Sequence, residues 1–455
     1  MSLRIYNTLT RVFEEFTPLV QGEVRVYICG LTVYDLMHIG HARTYIAFDA
    51  LLRYLKYQGY NVRYIQNITD VDDKIIRRAG EKGVEPLALS SEFAEKSLQD
   101  QVSLGLTTAD YYPKVSETIP DIISGIQKLL EKGYAYEAAG SVYFDVSKAE
   151  GYGMLSHQDT EQLSQHRIEP SPNKSNPLDF ALWKKVDDGF GFESPWGYGR
   201  PGWHIECTIM SQKHLGDQID IHGGALDLIF PHHENEVAQS EALTGKKPFV
   251  KYWMHTGFLN SSGEKMSKSL GNILSVRKLL DEFQAEVFRI FVLQTHYRSP
   301  IDYSRENLVN SAKAFERLRN FRQRLVDGGA TSHDLDALFH ELKAKFDEAM
   351  NDDFQTPKAL AHIFDTVKKA NQILDEKPQD TQEALKIFDE VMGALGFAPN
   401  EKKVPDEVVE LVAERNKYRA EKNFVKADEI RDKLKERGYM VKDNKDGTTS
   451  VEEIR

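Results

Sequence analysis

The sequence predicts an α/β fold: a doubly wound parallel sheet with an insertion, followed by an all-α helical bundle and a small C-terminal α/β module. Three observations predict it. An alternating apolar run, Val24, Val26 and Ile28, leads through a glycine-containing turn into Tyr45, Ile46, Phe48, Leu51, Leu52 and Leu55 at helical spacing. From Val276 onward the apolar period is helical. A polar stretch, Pro399-Asn400-Glu401-Lys402-Lys403, then sets off a short charged segment.

Taken in order, residues 24–74 read strand, helix, strand, helix, the start of a parallel sheet. Helical spacing around Ile119-Pro120 to Lys132 gives way to a hairpin-like alternation from Ala135 to Val146. Residues 150–200 are rich in Gly, Pro, Ser and Asp. We therefore read 1–114 as the first half of the sheet domain, 115–198 as an insertion and 199–260 as the second half, with a strand from Gln218 to His222. Residues 261–310 form a connecting region. Within 311–400, Phe315, Leu318, Phe321 and Leu325 mark one helix, and Leu335, Leu338, Phe339, Leu342 and Phe346 a second. Leu360, Ile363, Phe364, Val367 and Leu374 mark a third, with Asp334 and Thr356-Pro357 as helix starts. Residues 401–455 hold a charged helix pair and a short strand from Gly438 to Lys442.

At 455 residues the chain is too long for one ordinary core. Its 41% hydrophobic and 28% charged residues are those of a soluble globular protein, and no apolar run reaches the ~20 residues of a membrane span. The start, Met1-Ser2-Leu3-Arg4-Ile5-Tyr6, lacks a signal-peptide core, so a cytoplasmic protein without a membrane partner is expected, and as a monomer. The net charge of −12 argues against a nucleic-acid partner, yet Lys313, Arg317, Arg319, Arg322 and Arg324 stand close together with one acid, Glu316, among them. That stretch suits either an RNA face or a solvated helix.

Two short motifs carry the chemistry. His38-Ile39-Gly40-His41 opens the first helix, where backbone N–H groups and the helix dipole make an anion site and the histidines can add hydrogen bonds. Lys265-Met266-Ser267-Lys268-Ser269 lies about 225 residues further on, after the polar loop Ser261-Ser262-Gly263-Glu264, as a mobile closing loop should. A third constellation is weaker. His232 and Glu236 are four apart on a helical segment, so both side chains share a face, and Cys29 and Cys207, the only cysteines, could complete a four-donor zinc set. His233 could take the place of His232, and a polar helix start would look the same.

The motifs sit in longer matches. Cys29-Gly30-Leu31-Thr32-Val33-Tyr34-Asp35 runs into HIGH, and Asn67-Ile68-Thr69-Asp70-Val71-Asp72-Asp73-Lys74 follows the next strand. Gly199 to Cys207 (GRPGWHIEC) and Phe230 to Glu236 (FPHHENE) come later. With these the chain resembles the cysteinyl-tRNA synthetases of class I from about residue 3 to its C-terminus. It departs at Leu31, where many members carry proline, and at Ser450, where relatives often have tryptophan.

The resemblance implies a Rossmann-type catalytic domain and a two-step reaction. Cysteine carboxylate attacks the α-phosphate of ATP, supplied with Mg2+, and the cysteinyl group then moves to the 3′ end of tRNA(Cys). Neither step needs a protein nucleophile, so positioning and charge stabilisation carry the rate. On this reading His38, Gly40 and His41 bind ATP, and Lys268, helped by Lys265, neutralises the phosphates. The family's single zinc ion would be held by Cys29, Cys207, His232 and Glu236. Zinc favours a thiolate over a hydroxyl, so L-cysteine would be told from serine without an editing domain. Thr69, Trp203, His222 and Asp227 are expected in the amino-acid pocket, with Asp227 facing the ammonium. Residues 311–400 would lie along the tRNA body, and Arg419, Asp428 and Asp443 would meet the anticodon. Two rivals are a ligase joining activated cysteine to a small amine, as in the mycothiol-pathway relatives, and a non-catalytic RNA-binding descendant. Residues 310–455 oppose the first, and the intact motif set opposes the second.

Overall fold

The computed structural model describes residues 2–158, 173–261, 264–265, 274–328, 334–376, 380–397, 406–420, 423–437, 439–443 and 449–453. The chain divides into two compact units, 1–396 and 397–455.

The first unit opens with an antiparallel hairpin of β1 (Arg4–Asn7) and β2 (Val12–Glu15). The main sheet holds β3 (Glu23–Ile28), β4 (Asn61–Gln66), β9 (Ile219–Ala225) and β10 (Val250–Thr256) in the order β10-β9-β3-β4, all parallel. β9 and β10 are buried almost along their whole length, as parallel strands covered on both faces must be. Helix α1 (Ile39–Tyr57) crosses from β3 to β4, and α2 (Asp73–Lys82), α3 (Pro86–Ser103) and α4 (Val115–Glu131) follow. The chain turns to one side of β3 after α1 and to the other when it returns as β9. The carboxyl ends of β3 and β9 therefore flank the switch point where ligands collect in open α/β sheets.

Between β4 and β9 lies a second, antiparallel sheet of β5 (Ala135–Ala138), β6 (Ser141–Phe144), β7 (Phe180–Lys185) and β8 (Gly199–Pro201). The insertion's own sheet thus begins at residue 135. Helix α4, expected to open the insertion, packs into a core that joins both sheets: Ile122, Ile126 and Leu129 share it with Tyr27 and Ile65 and with Phe144 and Trp183. Its Gly125 faces Ile209 of α5 (Trp203–Leu215) so closely that a Cβ would stand 2.4 Å from Ile209 Cδ1. Helix α6 (Glu234–Thr244) follows β9.

Short strands β11 (Leu259–Ser261), β12 (Glu264–Lys265) and β13 (Ile301–Tyr303) and helices α7 (Val276–Glu282) and α8 (Ala285–Leu293) connect to the bundle. The bundle has four helices, α9 (Arg305–Val326), α10 (Asp334–Asn351), α11 (Thr356–Glu376) and α12 (Gln382–Ala394), one more than the sequence marked. Two buried arginines seat it on the sheet domain's helix layer. Arg289 of α8 binds Asp49 of α1 at 2.5 Å and the carbonyls of Leu104, Gly105 and Leu395. Arg43 of α1 donates to the carbonyls of Tyr297 and Ser299.

In the second unit α13 (Asp406–Ala420) and α14 (Phe424–Glu436) pack through Val408, Ile430 and Leu434 against Val441 of β14 (Tyr439–Asp443). That strand pairs with β15 (Thr449–Glu453), a partner the sequence reading did not contain.

Candidate active site and metal cluster

The start of α1 is built by local chain geometry. His38 is the N-cap of α1, in extended backbone, and its Nδ1 accepts from the His41 N–H at 3.3 Å. The two imidazoles stack at 3.5 Å. Gly40 permits this fold-back, since a Cβ there would stand 3.0 Å from the His38 ring. No acidic residue occupies the first turn, so the positive end of the helix stays open to an anion. The second motif's flank is tied to the first. Ile39 N–H donates to the Leu274 carbonyl at 3.0 Å, His38 bridges Ser275, and Val276 N–H donates to the Met37 carbonyl. Lys265 is in β12, paired with Asn260 of β11, while Lys268 lies outside the described residues.

One residue past β3 the sheet's switch point holds Cys29. Gly30 beside it donates to Asn67 Oδ1, and a Cβ at position 30 would overlap the Asn67 carbonyl at 1.6 Å, so only glycine lets these two loops pass. Cys29, Cys207, His232 and Glu236 come together here, each almost wholly buried. Ligating atoms of Cys29, His232, His233 and Glu236 all lie within 4.8 Å of one another. Cys207, on α5, is buried beside them, close enough for Cys29 and His232 to act on its thiol.

The alternative left open by the sequence, His232 or His233, turns on what each ring nitrogen does. His233 has both engaged, Nε2 on the Cys29 sulfur at 3.3 Å and Nδ1 on His255 Nε2 at 2.8 Å. His255 continues to Thr8 Oγ1. His232 Nδ1 meets His204 Nδ1 at 3.0 Å, which leaves Nε2 facing the cluster. That Nε2 pairs with Glu236 Oε1 at 3.0 Å, inside the cluster. A metal ion bound there would take the place of the proton between the two atoms. The other carboxylate oxygen, Oε2, is held by His222 Nε2 at 2.9 Å.

The charges agree with such a site. A hydrogen bond from Cys29 pulls the Cys207 thiol down to about 6 against the effect of burial. Burial, then the neighbouring Cys207, pushes Cys29 up. Burial disfavours an ionised Glu236, but His222 and His232 outweigh it and bring the carboxyl to about 2. Burial likewise disfavours a charged His232, but Glu236 and Cys207 raise it to about 9. His204, His233 and His255 are kept neutral chiefly by burial, His255 down to about 3. A dry pocket with a thiolate and a carboxylate wants a cation, and the donor set of two sulfurs, an imidazole and a carboxylate is one that zinc accepts.

Of the expected amino-acid pocket, Trp203 stacks on His232 at 4.1 Å and is partly exposed. It also lines a cleft of about 320 Å3 with Lys74, Lys184, His204 and Phe230. Thr69 is buried and accepts from Asn67, one bond from Gly30. Asp227 is exposed on the turn after β9. His222 is fully buried behind Glu236 and stacked on Trp253, so its position is that of a support for the carboxylate instead of a pocket wall. Sequence reading missed His204, His255 and Asn67 as partners. The first two were visible only as histidines in GWHIEC and in an apolar strand, with no spacing to link them to a shared centre. In the second unit Arg419 and Asp428 are exposed on α13 and α14, and Asp443 ends β14. Of the basic stretch on α9, Arg322 pairs with Asp389 through two bonds of 2.7 Å and Arg324 with Asp375, so these two serve the bundle itself. Lys313 and Arg319 stay on its exposed face.

Comparison with known proteins agrees with this geometry. Residues 15–313 match the class I (C) tRNA synthetase catalytic domain, 345–398 the DALR domain and 401–449 the cysteinyl-tRNA ligase anticodon binding domain. Cysteine–tRNA ligases of Thermococcus onnurineus and Bacillus licheniformis are 49% and 47% identical, over 98% of this chain and 98% of their own in both cases. Among solved structures, methionyl-tRNA synthetase of Mycobacterium tuberculosis shares the fold with a TM-score of 0.62 at 17% identity, over 82% of this chain and 89% of that one. With a catalytic-domain match over residues 15–313 and full-length relatives of one activity, the chain belongs to the class I cysteinyl-tRNA synthetases and is a cysteine–tRNA ligase enzyme.

Proposed function

We propose that the protein activates L-cysteine with ATP and Mg2+ and transfers the cysteinyl group to the 3′ end of tRNA(Cys), with a zinc ion held by Cys29, Cys207, His232 and Glu236. The observation that supports the metal assignment is the buried convergence of ligand atoms from Cys29, His232, His233 and Glu236 within 4.8 Å of one another, with Cys207 beside them. Bound zinc would supply a Lewis-acid preference for a thiolate over an alcohol.

The chain's own residues do the rest. Trp203 walls the cluster beside the cleft, and Thr69 and Asp227 bound the amino acid, with Asp227 offering a carboxylate for the ammonium. His38 and His41 donate to the phosphates at the start of α1, where the dipole favours the growing negative charge. Lys265 and Lys268 neutralise the same charge. The tie between Ile39 and Leu274 supports this, because it anchors the loop's far end at HIGH. No side chain needs to act as nucleophile: the cysteine carboxylate attacks phosphorus, the pyrophosphate leaves, and a ribose hydroxyl of the tRNA then displaces AMP. Helices α9–α12 would carry the tRNA body, and Arg419, Asp428 and Asp443 its anticodon. A small-amine acceptor would leave the modules at 345–398 and 401–449 without an occupant.

The test is cysteine-dependent pyrophosphate exchange followed by charging of tRNA(Cys), with metal analysis of the same preparation. Exchange, charging and about one zinc per chain are expected. Exchange without tRNA charging would refute the acceptor, and wild-type preference for cysteine in metal-free enzyme would refute the zinc assignment.

A further inference from the structure

The turn between α10 and α11 carries two successive non-glycine residues in the left-handed region, Asp353 at φ 57° and Phe354 at φ 53°. A bundle turn that needed only that backbone would use glycine or asparagine, and such strain persists where surrounding contacts over-determine it. Here the Asp353 side chain is what is held. It is fully buried, and its carboxylate takes donors from elements far apart in the chain. Oδ1 accepts from the Tyr6 N–H of β1 at 2.9 Å and from the Tyr297 hydroxyl at 2.8 Å. Oδ2 accepts from Arg298 through Nε and Nη2, both at 2.8 Å, and the guanidinium lies over the Tyr6 ring. His296 Nε2 meets the Asp353 carbonyl.

The same segment is grasped from the catalytic side. Arg43, two residues past His41 on α1, is buried and donates to the carbonyls of Tyr297 and Ser299 at 2.5 and 2.8 Å. A polar chain therefore runs from the phosphate-binding helix through residues 297–299 to the one turn where α10 meets α11. The other end of α1 is seated separately: Tyr54 reaches Asn351, and Tyr57 receives Lys343.

We propose that Asp353 is a positioning residue for the transfer step: it fixes the helical bundle at one angle to the catalytic fold, so that the acceptor end of a bound tRNA arrives at the adenylate. The proposal rests on the reading that the bundle carries tRNA. Asp353 touches neither the phosphate site nor the cysteine cluster, so adenylation does not depend on it.

The test uses full-length Asp353→Gly and Asp353→Asn. Glycine keeps the left-handed backbone while removing every side-chain bond, and asparagine keeps acceptors for Tyr6 and Tyr297 but not the charge facing Arg298. Cysteine-dependent pyrophosphate exchange is expected within about threefold of wild type in both. Single-turnover transfer from preformed adenylate to tRNA(Cys) is expected to fall about 100-fold in Asp353→Gly, the scale of an ångström-sized misplacement, and less in Asp353→Asn. Unchanged transfer in Asp353→Gly overturns the proposal, as does a parallel fall of exchange and transfer, which marks a general structural role. Charge reversal at Lys313 and Arg319 separates the two readings. If it leaves tRNA affinity unaltered, the bundle reading falls and takes this proposal with it. If it weakens tRNA binding while Asp353→Gly transfers normally, only the proposal falls.

Discussion

Replacing His222 is expected to weaken zinc binding although His222 is not itself a ligand. Its Nε2 donates to Glu236 Oε2 at 2.9 Å, and both side chains are fully buried. A hydrogen bond to a charged group of this kind contributes about 1.5–3 kcal/mol. At about 1.4 kcal/mol per decade, that is roughly 10- to 150-fold in zinc affinity, in the range seen for partners of metal ligands. His222→Met fills the space between Tyr27 and Trp253 without a donor, whereas His222→Gln keeps an N–H. Competition against a chromophoric zinc chelator reads the affinity, and circular dichroism confirms that both variants fold. The methionine variant should lose affinity by that factor and regain cysteine-dependent exchange when zinc is added in excess, while the glutamine variant should lose less. Wild-type affinity in His222→Met would refute the assignment of Glu236 as a ligand held from behind, as would equal losses in the two variants.

Cys207→Ser should cut zinc affinity by at least about 100-fold and reduce the preference for cysteine over serine toward the roughly 10–200-fold that shape alone supplies, read from exchange rates with each amino acid. His38→Ala should lower the exchange kcat by about 10²–10³ with the ATP KM changed only severalfold, because the contact matters most as phosphate charge grows. An unchanged kcat would remove His38 from the site. Asp49→Ala should destabilise the first unit by about 3–5 kcal/mol, since it strands Arg289 in the core; thermal melting checks this. Burial alone would raise the Asp49 carboxyl, but Arg289 and then Arg53 hold it below the ordinary range. Its stabilisation is therefore complete above the unfolded value of about 3.9 and is lost as pH falls through the folded value, so the gap between wild type and variant should close only in acid.

Much of this was legible in the sequence, and the limits have physical causes. The strand–turn–helix at HIGH could be read because β3 and α1 carry unmixed periods, two in the strand and 3.6 in the helix. The four donors were named because the family motifs quote them, and spacing alone gave only His232 with Glu236. Nothing in spacing could choose between His232 and His233, since the choice depends on His204 and His255, which arrive from α5 and β10. His222 was read as a pocket residue because the sequence reading ended its strand there, whereas β9 runs on to Ala225. Its ring turns inward toward α6 instead, where Glu236 accepts from it. Helix α12 went unmarked, although its Ala384, Ile387, Phe388, Val391 and Met392 are buried at helical spacing. The basic run on α9 misled for another reason. Arg322 and Arg324 answer to Asp389 and Asp375, 67 and 51 residues away, and partners that distant are invisible along the chain.

The two chemistries are kept apart by only a few residues of one connection. Cys29 follows β3 and His38 caps α1, so on the proposed reading selection of the amino acid and stabilisation of the triphosphate hang on the same strand-to-helix crossing. That crossing is clamped on both sides. Asn67 holds Gly30 from the β4 side, and Leu274 and Ser275 hold His38 and Ile39 from the closing loop. If the proposed roles hold, anchors at both ends would set the distance from the cluster to the helix start before either substrate arrives, as a reaction driven by positioning requires. It also means the two ends should respond independently to substitution. The cluster is buried, while the helix start is partly open to water. Combining His38→Ala with His222→Met should therefore give effects on exchange that add in free energy, within about 0.5 kcal/mol, at a fixed zinc concentration below saturation. Coupling well beyond that would show that the crossing moves as a unit, and that selection and activation are not separable in this fold.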